Sequence, residues 1–192
     1  MAKTESSLKN MILSLVIISL VASLALGSIY NITKEPIEMA IRAKQENAIK
    51  EVLPEFDSLI SIKALPASGK DSVAIHYAYK AQQLVGTAVA TYSNKGYDAT
   101  QIQLMVGFLP DLTIKNISVV QQKETPGLGT KMTEPKFKDQ FTGKNPAQYQ
   151  LKVKKDGGNV DAITAATISS RAFCDAVQRA YDTYNSEGGD KK

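Results

Sequence analysis

The most extended pattern in the chain is an absence of charge. From Met11 to Tyr30 the sequence reads MILSLVIISLVASLALGSIY, and the uncharged run extends from Asn10 to Thr33, between Lys9 and Lys34. A helix of about 20 residues rises about 30 Å, the thickness of a bilayer's hydrocarbon core. It satisfies its own backbone groups, as lipid demands. Ser14, Ser19, Ser23 and Ser28 fit, because a helical serine can bond back to a carbonyl one turn earlier. The segment has no polar face, unlike an amphipathic soluble helix. A cleaved secretory signal is the competing reading, with Ala25-Leu26-Gly27 as a loose cleavage site, but its apolar core is normally shorter.

Beyond the span the period changes. Ile37, Ala40, Ile41, Ala48, Ile49, Val52 and Leu53 recur at helical spacing. This predicts an amphipathic stalk helix with Pro36 in its first turn and Pro54 as its stop. Two-residue alternation follows: Val73, Ile75, Tyr77 and Tyr79 against Ala74, His76, Ala78 and Lys80. That is a half-buried strand, with His76 beside Lys80 on its polar face. Leu59–Ile62, Leu84–Tyr92, Thr100–Phe108, Leu112–Gln121 and Tyr149–Val153 read as further strands, and Glu134–Phe141 as a short helix. Thr167–Tyr184 reads as an amphipathic helix with Phe173, Cys174, Val177, Ala180, Tyr181 and Tyr184 on one face. The predicted fold is α+β: a tail over 1–10, a transmembrane helix over 11–33, a stalk over 34–56, one domain with an antiparallel-rich sheet over 57–185, and a flexible tail over 186–192.

Composition narrows the function. In 192 residues there are 23 basic and 19 acidic side chains, interspersed. No long basic run favours nucleic acid. One cysteine and one histidine exclude an internal disulfide, a zinc finger and a thiolate iron–sulfur site. No Gly-x-Gly-x-x-Gly or Walker lysine is present, so neither dinucleotide binding nor nucleotide hydrolysis is expected. The lysine and arginine balance across the span is nearly even. A short amino-terminal tail before a long domain therefore carries the orientation, with the domain outside the cytoplasmic (inner) membrane, on the periplasmic side.

Two stretches carry candidate chemistry. Glu124-Thr125-Pro126-Gly127-Leu128-Gly129 is a stiff turn expected to expose backbone N–H groups to a flat or anionic ligand. Asp161-Ala162-Ile163-Thr164-Ala165-Ala166-Thr167-Ile168-Ser169-Ser170 opens the last helix, where free amides and the dipole suit a phosphate. Read from spacing alone, Thr164 or Thr167 is equally a helix cap.

The Asp161–Thr167 segment resembles the flavinylation motif of the FMN-binding domain family, an aspartate before a Ser/Thr-Gly-Ala-Thr run. The resemblance implies FMN joined to Thr167 through a phosphoester, with Asp161 and Thr164 at the other polar positions and Ala165 where glycine is usual. It further implies that Ala166, Ile168 and Ser169 line the phosphate site, with the Ser169 hydroxyl as an extra donor. Thr125, Gly127, Leu128 and Gly129 would lie against the ring or phosphate. Tyr30–Ile37, Ile102–Gly107, the Glu124–Gly129 loop and the threonine motif occur in the order that resembles the G-subunit family of Rnf complexes (RnfG). That family is related to NqrC of the sodium-pumping NADH:quinone reductase. The implied role is a membrane-anchored electron relay in an ion-translocating ferredoxin:NAD oxidoreductase. Its partners would be the other membrane and peripheral subunits, and a flavin transferase during maturation. A non-redox scaffold subunit and a noncovalent small-molecule binder are the alternatives.

Overall fold

The computed structural model describes residues 7–66, 68–69 and 71–188. The chain divides into two units, Met1–Ala43 and Lys44–Lys192. Helix α1, Leu8–Val52, runs 45 residues with Pro36 inside it. The sequence pattern placed a new helix start at Pro36. The structure continues the helix, and the cost is the one backbone donor that proline lacks. The described side chains of the first unit, residues 7–43, are exposed, and the apolar stretch is long enough to cross a membrane. Ser14, Ser19 and Ser28 donate to carbonyls three or four residues earlier, so their hydroxyls are satisfied within the helix. Of the expected amino-terminal tail, residues 1–6 lie outside the described residues.

The second unit begins with the last turns of α1. Strands β1 (Ser58–Ala64), β2 (Val73–Lys80), β3 (Gln83–Ser93), β4 (Ile102–Phe108) and β5 (Ile114–Gln121) form one sheet. Its order is β1-β2-β3-β4-β5 with every pairing antiparallel. Because side chains alternate across a strand, each sheet face buries its own set. One face meets helix α3, Thr167–Gly188. There Ile75, Val89, Leu104, Val106 and Phe108 pack with Ala172, Phe173, Ala176, Val177 and Tyr184 in the main core. The other face meets the end of α1, where Ala48, Ile49, Val52 and Leu53 pack on Ala78, Ala88, Met105 and Val120. The stalk periodicity thus marks a helix turn that belongs to the domain core.

The alternation read in β2 is present until a register irregularity between Ala78 and Tyr79. His76 departs from the expected exposed position. It is half-buried, with Nδ1 2.7 Å from Ser61 Oγ on β1. The expected strand Tyr149–Val153 does not form; only an isolated bridge joins Val153 to Val160. Leu151 and Val153 are buried, but the backbone before them folds into turns, with the Gln148 and Tyr149 N–H groups donating to Asn145 O. The short helix shrinks to α2, Pro135–Lys138, after a 3-10 turn at Gly129–Thr133. Phe137 of α2, Phe141 and Phe173 form an aromatic cluster with centroids 5.1–5.7 Å apart. Cys174 is buried, and burial pushes its thiol up to about 12, so it is an inert core residue. Residues 186–188, expected in a flexible tail, continue α3, while 189–192 lie outside the described residues.

Candidate functional site

The start of α3 is built by a turn that works against its own residue. Ala166 N–H donates to Ile163 O at 3.0 Å, closing a turn over Thr164 and Ala165. Ala165 adopts φ of +61°, the left-handed region that suits glycine at the third position of such turns. Ser170 locks the turn from inside. Its Oγ accepts the Ile163 N–H at 3.0 Å and donates to Ala166 O at 2.9 Å.

The helix therefore opens without a threonine cap. Among the described residues, neither the Thr164 nor the Thr167 hydroxyl bonds to a helix amide. The first backbone donor of α3 with a partner in the preceding turn is Ser170, bonded to Ala166 O. The amides of Thr167, Ile168 and Ser169 are left at the helix mouth, where an α-helix lacks internal acceptors. The same three residues, with Ala165 and Ala166, line one side of a cavity of about 450 Å³.

The opposite wall comes from the Glu124–Gly129 loop and from the segment before β4. Thr125, Leu128, Gly129 and Tyr97 complete the lining. Leu128, Ile168 and Tyr97 are large apolar surfaces left partly or mostly exposed around the cavity. Two of the loop's amides are taken up within the loop itself. Gly127 N–H goes to Thr130 Oγ1 at 2.9 Å, and Leu128 N–H goes to Thr125 O at 3.1 Å. Gly127 has φ of +74° and shapes the turn without lining the cavity. What the loop presents is the Leu128 side chain and the bare Gly129 backbone.

Of the residues singled out from sequence, Thr125, Leu128, Gly129, Ala165, Ala166, Thr167, Ile168 and Ser169 come together here. Asp161 and Thr164 do not line this cavity. They line a neighbouring depression of about 400 Å³ with Lys131, Glu134 and Gln140. Asp161 pairs there with Lys154 at 2.7 Å, and its N–H donates to Gln140 Oε1 at 2.8 Å. The Ser169 hydroxyl, expected to face a phosphate, instead donates to Glu124 Oε2 at 2.5 Å. Only the Ser169 backbone N–H remains for a ligand.

Sequence reasoning missed Tyr97. It sits in a stretch of bends between β3 and β4 with no periodicity, and only the sheet brings it to the helix mouth. The Glu124 carboxylate was also missed as a structural centre. Its burial beside two glycines arises from long-range contacts that leave no periodic mark in the sequence.

A profile of the FMN-binding domain family matches residues 96–182, a range that contains every residue of this cavity. The chain is similar to the G subunit of the ion-translocating oxidoreductase complex of Methanosarcina acetivorans, 32% identical over 96% of this chain and 98% of the relative. It is also similar to the G subunit of the Na+-translocating ferredoxin:NAD+ oxidoreductase complex of Acetobacterium woodii, 31% identical over 90% and 89%. Among solved structures, NqrC of Shewanella oneidensis aligns with a TM-score of 0.45 at 24% identity, covering 64% of this chain and 63% of that one.

Proposed function

The chain belongs to the family of G subunits of ion-translocating oxidoreductase complexes, and on that premise we propose that it is a membrane-anchored electron relay whose FMN is joined to Thr167 by a phosphoester. The observation that carries the reading is the helix mouth. The Thr167 hydroxyl is uncommitted, beside three free amides, on the wall of a cavity with apolar sides. A volume of about 450 Å³ lies within the range of about 300–1,000 Å³ typical of small-molecule sites. An anion at a helix start gains from both the amides and the dipole. The residues present therefore fit FMN.

Bound FMN would supply reversible electron transfer. The protein's part is to hold and surround it. The amides of Thr167, Ile168 and Ser169 receive the phosphate, and Ala165 and Ala166 leave its approach uncrowded. Leu128, Ile168 and Tyr97 flank the ring and thin the water around it. In maturation a separate transferase moves the FMN half of FAD onto Thr167. The hydroxyl loses its proton, an oxygen–phosphorus bond forms, and the pyrophosphate breaks with AMP leaving. Asp161 and Thr164, the motif's other polar positions, line the neighbouring depression and not this cavity. The head lies on the extracytoplasmic side, and electrons pass between it and the other subunits of the complex.

Mass spectrometry of the denatured chain, made together with a flavin transferase, tests the assignment. One FMN mass is expected on the peptide containing Thr167. Thr167→Val should abolish it, while the flavin-free variant keeps an unfolding free energy within about 1 kcal/mol of the flavin-free wild-type chain, as expected for a surface change. A Thr167→Val chain that still held flavin through denaturation would refute the bond.

A further inference from the structure

Glu124 is 3% exposed, yet among the described residues no cation lies within ion-pair distance of it. Every described group that bonds its carboxylate donates. Tyr97 N–H reaches Oε1 at 3.0 Å and Oε2 at 3.3 Å, Asp98 N–H reaches Oε1 at 3.3 Å, and the Ser169 hydroxyl reaches Oε2 at 2.5 Å. A buried carboxylate is expensive unless such donors satisfy it, and bonds of this kind are the stronger class. The donors come from two segments far apart in sequence. Tyr97, Ser169 and Gly129, all touching this group, also line the cavity. Gly96 and Gly129 press against it; a Cβ added at Gly129 would lie 2.6 Å from both Glu124 Cβ and Ser169 Oγ.

The geometry points to Glu124 as the positioning residue of the flavin site, a negative group behind the cavity wall that also sets how readily the bound flavin accepts electrons. The inference rests on reading the cavity as a flavin site. Reduction adds negative charge to the ligand. A fixed carboxylate behind the wall, with no cation beside it and little water, opposes that addition more strongly than a solvated one. Its hydrogen bonds meanwhile fix the Tyr97 backbone and turn the Ser169 hydroxyl away from the ligand.

The test uses the full-length, flavin-loaded chain in detergent, titrated potentiometrically. Glu124→Gln keeps the shape. The amide oxygen still accepts from Tyr97 and Asp98, and the Ser169 hydroxyl rotates to accept from the amide nitrogen. The charge is lost, and the Ser169 contact reverses its polarity. The equilibrium constant for two-electron reduction should rise at least tenfold, an upward shift of about 30 mV. The double variant Glu124→Gln, Ser169→Ala removes the one contact whose polarity is reversed and should shift the potential the same way. A second readout needs no flavin: in the flavin-free chain, Glu124→Ala should speed amide exchange at Tyr97 and Asp98 at least tenfold.

Loaded variants with the wild-type potential would overturn the tuning role. So would failure of both neutral variants to hold flavin, which would make Glu124 purely architectural. Unchanged exchange in Glu124→Ala would overturn the positioning role. A wild-type chain that takes up no flavin would sink the flavin reading instead, and the exchange measurement would still decide the positioning.

Discussion

Ala165 holds a backbone angle that costs an L-residue about 1–2 kcal/mol. The turn needs it, because Thr167 reaches the first position of α3 only after the chain reverses over Thr164 and Ala165. Glycine avoids the clash but loses more entropy on folding. The balance predicts that Ala165→Gly stabilises the fold by about 1 kcal/mol, a rise in Tm of about 2–4 °C for a domain of this size. Ala165→Val should do the opposite and reduce flavin loading. Scanning calorimetry with a loading assay checks both. His76 is a second residue with a readable consequence. Burial lowers its pKa below the ordinary 6.5, so the folded state disfavours the proton that the unfolded chain accepts. Stability is therefore complete above about pH 6.5 and falls as pH drops below it, down to the lowered folded value. As the chain's one histidine, it makes the test clean. The ratio of unfolding midpoints at pH 5.5 and 7.5 should approach unity in His76→Gln, and an unchanged ratio would contradict this.

Among the elements, α3 does most to join packing to the site. Its buried face carries Phe173, Ala176, Val177, Ala180 and Tyr184, while its first turn supplies the cavity wall. Phe173 touches Phe137 and Phe141 at 5.1 Å between centroids. Phe173→Ala should cost about 3–5 kcal/mol, read as a fall in urea midpoint. The helical and two-residue periods were legible because each element buries one face. The strand expected at Tyr149–Val153 failed for the complementary reason. Leu151 and Val153 are apolar because they plug the core, yet Asn145 and Asn159 take up the neighbouring backbone donors in turns. The threonine motif was legible as a helix start, but the inward turn of the Ser169 hydroxyl and the role of Tyr97 were not. Both depend on Glu124, which reaches its partners only after β3 and β4 have paired.

At the level of the molecule, the boundary at Lys44 separates two kinds of burial. A chain beginning at Lys44 is expected to stay in solution without detergent and to unfold in one cooperative transition. A chain beginning at Glu55 lacks Ala48, Ile49, Val52 and Leu53, and so uncovers Ala78, Ala88 and Met105. It should melt lower or aggregate, and analytical ultracentrifugation with thermal scans separates the two cases. The cavity itself draws on Tyr97, on Thr125, Leu128 and Gly129, and on 165–169, three stations far apart in the sequence of the folded unit. A nascent or half-folded polypeptide has no such enclosure. Whatever grips all three stations at once draws its free energy from the finished fold alone and returns it as resistance to unravelling, so occupancy of this pocket doubles as a certificate that the chain has been correctly assembled.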